Sequence, residues 1–480
     1  MKDVILILPE IVLAGTFALV LLGEMTRFGE SLHLSVFIAL AGLAIAFIET
    51  CIIYQVGAPL VPIFHGAIVV DGFSLFFKCF FLLLAAFHLI TLPDDIPRAR
   101  LSEYCALTLA SVMAMILASE VAEMFLGFLS LLFLSLTSFF MLATRRQSIV
   151  ATEGSMKLLL AHTLATGFFL YGSGLLFAAT GCGDITSMQA ALLAHPLPMH
   201  VQVVVFTLFF LGFSAPLGAF PFSLIVPDIL EGAAIPTAGF FAIGSRTAGM
   251  AMTLRFILGI FTHQGDQVWH VVGDWNFTRL IAIVISLTLL CGGIMATMQE
   301  SLKRMVGYLI VAETGFLLIG LLVLDKIAVA ALLYNLVIEL FALCGIFYIL
   351  AFFAGDVRGM LRSAPFEGVC FVVFFLCLVG APGLPGFLGK FTLIGAAVHH
   401  KRFAIAGFAI LTMLLGHAAV AKLSYQMIGD GGVALAPSRS RIGVLLCLLV
   451  PLILLTLFSD TLLLFASRSL GFLGGAEILM

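Results

Sequence analysis

The sequence predicts an all-α polytopic membrane protein, and three observations carry that prediction. Of its 480 residues, 62% are hydrophobic and only 10% charged, whereas a soluble domain is about one quarter charged. The apolar residues gather into stretches of the length a bilayer-crossing helix needs, about 20 residues. Between these stretches no polar segment is long enough for a soluble domain. A net charge of −3 argues against a nucleic-acid partner.

Taken in order, fourteen candidate spans centre near residues 13, 44, 80, 111, 134, 167, 212, 246, 288, 313, 340, 379, 413 and 455. The first begins MKDVILILPEIVLAG and lacks a small-residue cleavage site, so it reads as a membrane helix and not a signal peptide. Spans 1–3 fall in residues 1–100, spans 4–8 in 101–260, spans 9–13 in 275–428, and span 14 in 440–480. The longest loops lie near 181–200 and 260–278. The 9 cysteines are scattered through apolar stretches without CxxC spacing and read as small core residues.

Charge sets the expected orientation. Loops after spans 1, 3, 5, 9, 11 and 13 carry Arg27; Arg98 and Arg100; Arg145 and Arg146; Lys303 and Arg304; Arg358 and Arg362; Arg439 and Arg441. Loops after even-numbered spans carry only Arg279, Lys326, Lys401 and Arg402. By the positive-inside rule the first set faces the cytoplasm or matrix, and both termini face the other side.

Two spans are interrupted. Span 12 contains GAPGLPGFLGKF (380–391), and span 7 contains SAPLGAFPF (214–222). Each lies about four helices into a run of five, which makes spans 4–8 and 9–13 candidate repeats. Paired Gly/Pro breaks of this kind mark ion paths in transporters, because freed backbone is tolerable only where it lines a protein-buried or hydrated cavity.

Ionisable residues inside the spans are Glu49, Lys78, Lys157, Arg246, Arg255, Glu313, Glu339 and Lys390. Desolvation tunes a lysine toward neutrality readily, whereas an arginine stays charged and sets a field. Candidate proton-path residues are therefore Lys157, His162, Arg246, Glu313, Glu339 and Lys390. Blander readings stand beside them. Lys78 and Arg255 read as snorkelling or structurally paired cations, Glu153 and Lys157 as an i,i+4 helix pair, and His162 as a hydrogen-bonded core residue.

Four segments then carry a resemblance: TEGSMKLLL (152–160), VPDILEGAAIPTAGFFAIGSRTAG (226–249), SLKRMVGYLIVAETGFLLIGLL (301–322) and GAPGLPGFLGKF. With LPEIVLAG (8–15), they make the chain resemble the antiporter-like proton-channel subunits of respiratory complex I (NADH:quinone oxidoreductase). The likeness is greatest to the branch called N in bacteria and subunit 2 in mitochondria. The resemblance implies fourteen helices, inverted repeats of five and breaks in helices 7 and 12. It also implies a hetero-oligomer with other membrane-arm and accessory subunits, in lipid. NADH, FMN, iron–sulfur clusters and quinone are then expected in partner subunits, with none bound by this chain.

The family's functional residues transfer unevenly. Its helix 6 lysine falls on Lys157 and its helix 12 lysine on Lys390. Its helix 8 lysine falls on Arg246, its helix 7 lysine near Pro216 and its helix 5 glutamate near Leu132. The nearest acids to that last position are Glu120 and Glu123, and Glu313 and Glu339 are additional acids. Two readings follow. Either the chain still pumps, with water, His162, Glu313 and Glu339 as substitute stations, or it is a structural membrane-arm subunit whose own proton channel has lapsed. The second is preferred for the input half, and the output half keeps Lys390. Rivals are a subunit of a multisubunit cation/proton antiporter or membrane-bound hydrogenase, a stand-alone solute transporter, and a purely structural membrane subunit. The location expected is an energy-transducing membrane, with the degenerate channel favouring a mitochondrial inner membrane over a bacterial plasma membrane.

Overall fold

A computed structural model describes residues 5–25, 32–56, 61–64, 66–92, 100–144, 148–264, 269–271, 277–353, 357–429 and 439–470. Arg27, Arg98, Arg145 and Arg146, used above for orientation, lie outside the described residues. The chain forms two compact units, one of residues 1–217, 232–277 and 468–480, the other of 218–231 and 278–467.

Unit 1 begins with α1 (Leu8–Met25), α2 (Leu32–Val56), α3 (Gly72–Ile90), α4 (Leu101–Glu120), α5 (Met124–Leu142) and α6 (Ile149–Thr180). It continues with a short α7 (Ile185–Ala194) and α8 (Met199–Leu217), and α10 (Ile235–Phe261) belongs to it as well. Helix α4 is its hub and packs on α1, α2, α3, α5 and α10. Phe169 of α6, Phe209 and Phe213 of α8 and Phe256 of α10 interlock in edge-on and tilted contacts, with ring centroids 5.1–6.4 Å apart.

Unit 2 contains α9 (Ile225–Gly232) up to Glu231, then α11 (Thr278–Met298), α12 (Leu302–Val323) and α13 (Lys326–Phe352). After these come α14 (Met360–Ser363), α15 (Pro365–Val379), α16 (Pro385–His399), α17 (Phe403–Ile428), α18 (Arg439–Leu457) and α19 (Ser459–Leu470). Its centre is α13, packed on α12, α15, α16 and α18.

Among the described residues, ten helices are long and apolar enough to cross a membrane, or eleven if the bent pair Arg441–Leu457 and Ser459–Ser467 is one span. Every predicted span centre lies within a helix. The remaining predicted spans miss the length or apolarity for visible reasons. The apolar stretch of α1 is short, α10 carries Arg246 and Arg255, and the twelfth predicted span is split into α15 and α16.

The expectation of an all-α chain needs one correction. Two small antiparallel hairpins are present: β1 (Val61–Ile63) with β2 (Ile68–Val70), and β3 (Thr262–Gln264) with β4 (Trp269–Val271). The first continues into a backbone lattice over one end of unit 1. There Ala122 N donates to Ala67 O, Met124 N to Gly183 O and Ile185 N to Ala122 O, at 2.9–3.0 Å. Helix ends leave unpaired amides and carbonyls, and this lattice satisfies those between α4, α5 and α7. The cysteines also divide more finely than expected. Cys105, Cys370 and Cys377 are buried, Cys447 is exposed, and the other five are half-buried. Spanning helices offer an outer face as well as a core face, and apolar composition alone does not separate the two.

Candidate functional site: a buried lysine at a helix break

The sequence of span 12 dictates its break. Helix α15 ends at Val379, and Gly380 closes it in the left-handed region (φ +80°), its amide donating to Leu376 O. Glycine is the residue that takes this C-terminal position without steric cost. Five residues later Pro385 opens α16 at its first turn, where a missing N–H costs nothing. A Cβ on Gly386 would collide with Cys377 O, so the two half-helices can meet only through a glycine.

Lys390 lies one turn into α16 and is 2% exposed. Its Nζ donates to Leu378 O at 2.5 Å, a carbonyl in the last turn of α15 that the break leaves without an intrahelical partner. It also forms an ion pair with Glu313 Oε1 of α12 at 2.5 Å. The ammonium lies 4.7 Å from the centroid of Phe316, one turn beyond Glu313. The break therefore supplies an acceptor, and α12 supplies a counter-charge. A buried ammonium needs both, since desolvating an unpaired charge is prohibitive.

The other candidates do not all converge here. Glu339 of α13 is buried in the same unit. Lys157 is half-exposed on α6 and pairs with Glu153 at 2.7 Å, so the i,i+4 reading describes its contact. His162, one turn on, is buried with Nδ1 3.3 Å from Ser135 Oγ. Arg246 is buried on α10, and three residues further along that helix Gly249 packs against Pro216. The family's helix 7 cation would fall at that proline, which lies in the last turn of α8 and offers no ionisable group. Leu132, at the family's helix 5 acid, is half-buried. Glu120 and Glu123 flank the start of α5 without being inside it. Glu120 is the last residue of α4, and the Glu123 carboxylate caps α5 by accepting from the Phe125 and Leu126 amides.

Sequence reasoning allowed structural pairing for Lys78 and Arg255 but missed their partners and the second charged cluster these make in unit 1. Lys78 is fully buried and does not snorkel; its Nζ lies 2.6 Å from both Glu10 Oε1 and Glu120 Oε1. Arg255 is likewise paired, with a two-pronged contact to Asp71 at 2.9 and 3.1 Å and a bond from Nε to Ser119 O at 2.8 Å. The available signal was Glu10, an acid set within the first apolar stretch. Among the described residues no three His, Cys, Asp or Glu side chains group as a metal ion requires.

A sequence model of the NADH:quinone oxidoreductase/Mrp antiporter transmembrane family matches residues 118–416, which hold both broken spans and every candidate named above except Glu10, Asp71 and Lys78 of the second cluster. The chain belongs to this family. NADH:quinone oxidoreductase/Mrp antiporter relatives include subunit N of NADH-quinone oxidoreductase from Chlorobium chlorochromatii, 30% identical over 82% of this chain and 78% of that one. The Bacillus anthracis subunit N is 26% identical over 88% of this chain and 85% of its own length. A chain of Thermus thermophilus respiratory complex I shares the fold, with a TM-score of 0.79 at 22% identity, covering 96% of this chain and 99% of that one. A chain of the Mrp complex from Dietzia sp. does so with a TM-score of 0.83 at 16% identity, covering 99% and 98%. Both subunit N relatives are bacterial, which does not support the expectation of a mitochondrial inner membrane.

Proposed function

We propose that this chain is a non-redox membrane-arm subunit of an NADH:quinone oxidoreductase in a bacterial plasma membrane, and that Lys390 and Glu313 hand on protons there. The observation that carries this reading is the Lys390–Glu313 pair at the break of span 12, with both side chains at most 3% exposed. In a low-dielectric site the ammonium–carboxylate form competes with the neutral amine–acid form, because each charge carries its own desolvation cost. Moving one proton from Nζ to Oε1 across 2.5 Å interconverts the two forms. A charge arriving nearby biases that balance, and no covalent step is required. The carbonyl of Leu378 stabilises the ammonium form and so sets the resting state.

The reading assigns fourteen spans, with inverted repeats at 101–260 and 275–428 whose breaks are SAPLGAFPF and GAPGLPGFLGKF. It places NADH, FMN, iron–sulfur clusters and quinone in partner subunits. Exposed apolar side chains such as Leu160, Tyr171, Phe403 and Leu414 suit lipid and neighbouring membrane subunits. Pro216 and Leu132, neither of which can carry a proton, support a lapsed family input route through helices 5 to 7.

The test is Lys390→Met in the assembled complex, reconstituted in sealed vesicles. The expected result is a fall in protons moved per NADH oxidised. A yield equal to that of the unaltered complex removes Lys390 from the proton path.

A further inference from the structure

The charged cluster in unit 1 has a composition that a purely structural pin does not need. One ammonium, Lys78, stands between two carboxylates, and Arg255 is already matched by Asp71. With every group ionised, these five carry three negative and two positive charges. Glu49 of α2 adds a further carboxylate beside Glu10. Among the described residues, Cys51 of α2 and Cys79 of α3 lie next to one another and Glu123 is occupied in capping α5; the same packed elements also carry Tyr54 of α2, His88 of α3, Glu103, Tyr104 and Cys105 of α4, and Arg246 of α10. Lys78 is 0%, Asp71 1%, Glu120 3% and Arg255 5% exposed, and both carboxylate oxygens of the partly exposed Glu10 are buried, so the charged atoms of the cluster are held away from water. Two carboxylates sharing a dry site do not both ionise freely. Oε2 of Glu10 is also buried without a hydrogen-bond partner among the described residues. A carboxylate oxygen that no donor neutralises is where a proton goes.

Placement supports transfer rather than storage. Glu10 is the third residue of α1, Glu120 the last of α4, and Lys78 six residues into α3, about 9 Å along that helix. All three therefore lie near one end of unit 1, beneath the lattice of Ala67, Ala122 and Gly183. That end is the one opposite the predicted basic loops. Glu120 is the inner group, and Glu10, about one-fifth exposed, is the outer one. Arg255 holds Ser119 O, the carbonyl beside Glu120, and Asp71, which caps the N-terminus of α3 through Ser74. The carboxylate at the end of α4 and the lysine on α3 are thus fixed against one another.

We propose that Glu10, Lys78 and Glu120 form a second proton-binding site, which passes one proton outward from Glu120 to Glu10. The step balances. A proton arrives on Glu120, Lys78 gives one of its own protons to Glu10 and takes the one on Glu120, and the ammonium is restored. One proton has moved from the inner carboxyl to the outer, and the net charge of the triad is unchanged by the transfer. A metal cation is a poor occupant, because the Lys78 ammonium already fills the centre of the site. This inference rests on the proton-handling reading above and supplies unit 1 with a station that the family's helix 5 and helix 7 positions no longer provide.

The test uses the assembled complex in sealed vesicles, with Glu10→Gln and Glu120→Gln beside Lys390→Met. Glutamine keeps the shape and a hydrogen bond to Lys78 but cannot carry the proton. The expected result is a lowered proton yield per NADH in both glutamine variants, with assembly retained on a native gel. If Lys390→Met lowers the yield and both glutamine variants match the unaltered complex, the second site is overturned and the Lys390 reading stands. If only the glutamine variants lower it, the second site stands and the Lys390 reading falls. Should Glu120→Gln fail to assemble, infrared difference spectra of turning-over complex decide. A protonated-carboxyl band present in the unaltered complex and lost in Glu10→Gln supports the site, and an unaltered band overturns it.

Discussion

At the scale of the residue, the chain handles buried charge by pairing and not by exposure. Lys390 meets Glu313 and a broken helix's carbonyl, Lys78 meets two glutamates, and Arg255 meets Asp71. Removing one member of such a pair leaves the other desolvated and alone, which costs about 3–5 kcal/mol. Glu313→Ala is therefore expected to lower the thermal unfolding midpoint of the complex more than Glu153→Ala, whose partner Lys157 is half-exposed and can be solvated. A thermal melt of each purified variant checks this, and equal shifts would mean that Lys390 has found another partner. The sequence made Lys390 legible, because a lysine just past two prolines in an apolar run points to a broken helix with polar backbone beside it. It did not reveal the role of Lys78, since a cation near a helix end looks the same whether it snorkels or is enclosed. The enclosing partners come from α1 and α4, 68 and 42 residues away in sequence.

At the scale of the element, the break in span 12 depends on two glycines that do different work. Gly383 (φ +86°) has open space where a Cβ would go, so Gly383→Ala meets only backbone strain, about 1–2 kcal/mol. Gly386 has no such freedom, because an added Cβ would run into Cys377 O. Gly386→Ala is expected to push α16 away from α15 and draw Lys390 off Leu378 O. Hydrogen exchange measured by mass spectrometry on the assembled complex should show faster exchange across 376–390 in Gly386→Ala, and near-normal exchange in Gly383→Ala. The breaks themselves were readable from proline and glycine spacing. The two hairpins were not, since three-residue strands are dictated by the helix ends they join and leave no periodic pattern.

At the scale of the whole molecule, the same fold serves complex I and Mrp assemblies, and the host complex is read from the company the chain keeps. Mild detergent extraction and a native gel stained for NADH dehydrogenase activity should place this chain, found by mass spectrometry, in the large active band. Its presence in a smaller inactive band would transfer the proton-path residues to an antiporter. Hydropathy made the membrane class plain. The division into two units was hidden, because residues 218–231 precede α10 in sequence yet belong with helices that follow it. Their attachment is concrete: Arg304 of α12 pairs with Asp228 and Glu231 of α9 at 3.0 and 2.9 Å. Asp228 is synthesised 76 residues before Arg304. During translation the Arg304 side of both pairs is missing until α10 and α11 have been made, so unit 2 cannot close this contact until its second full helix has left the ribosome.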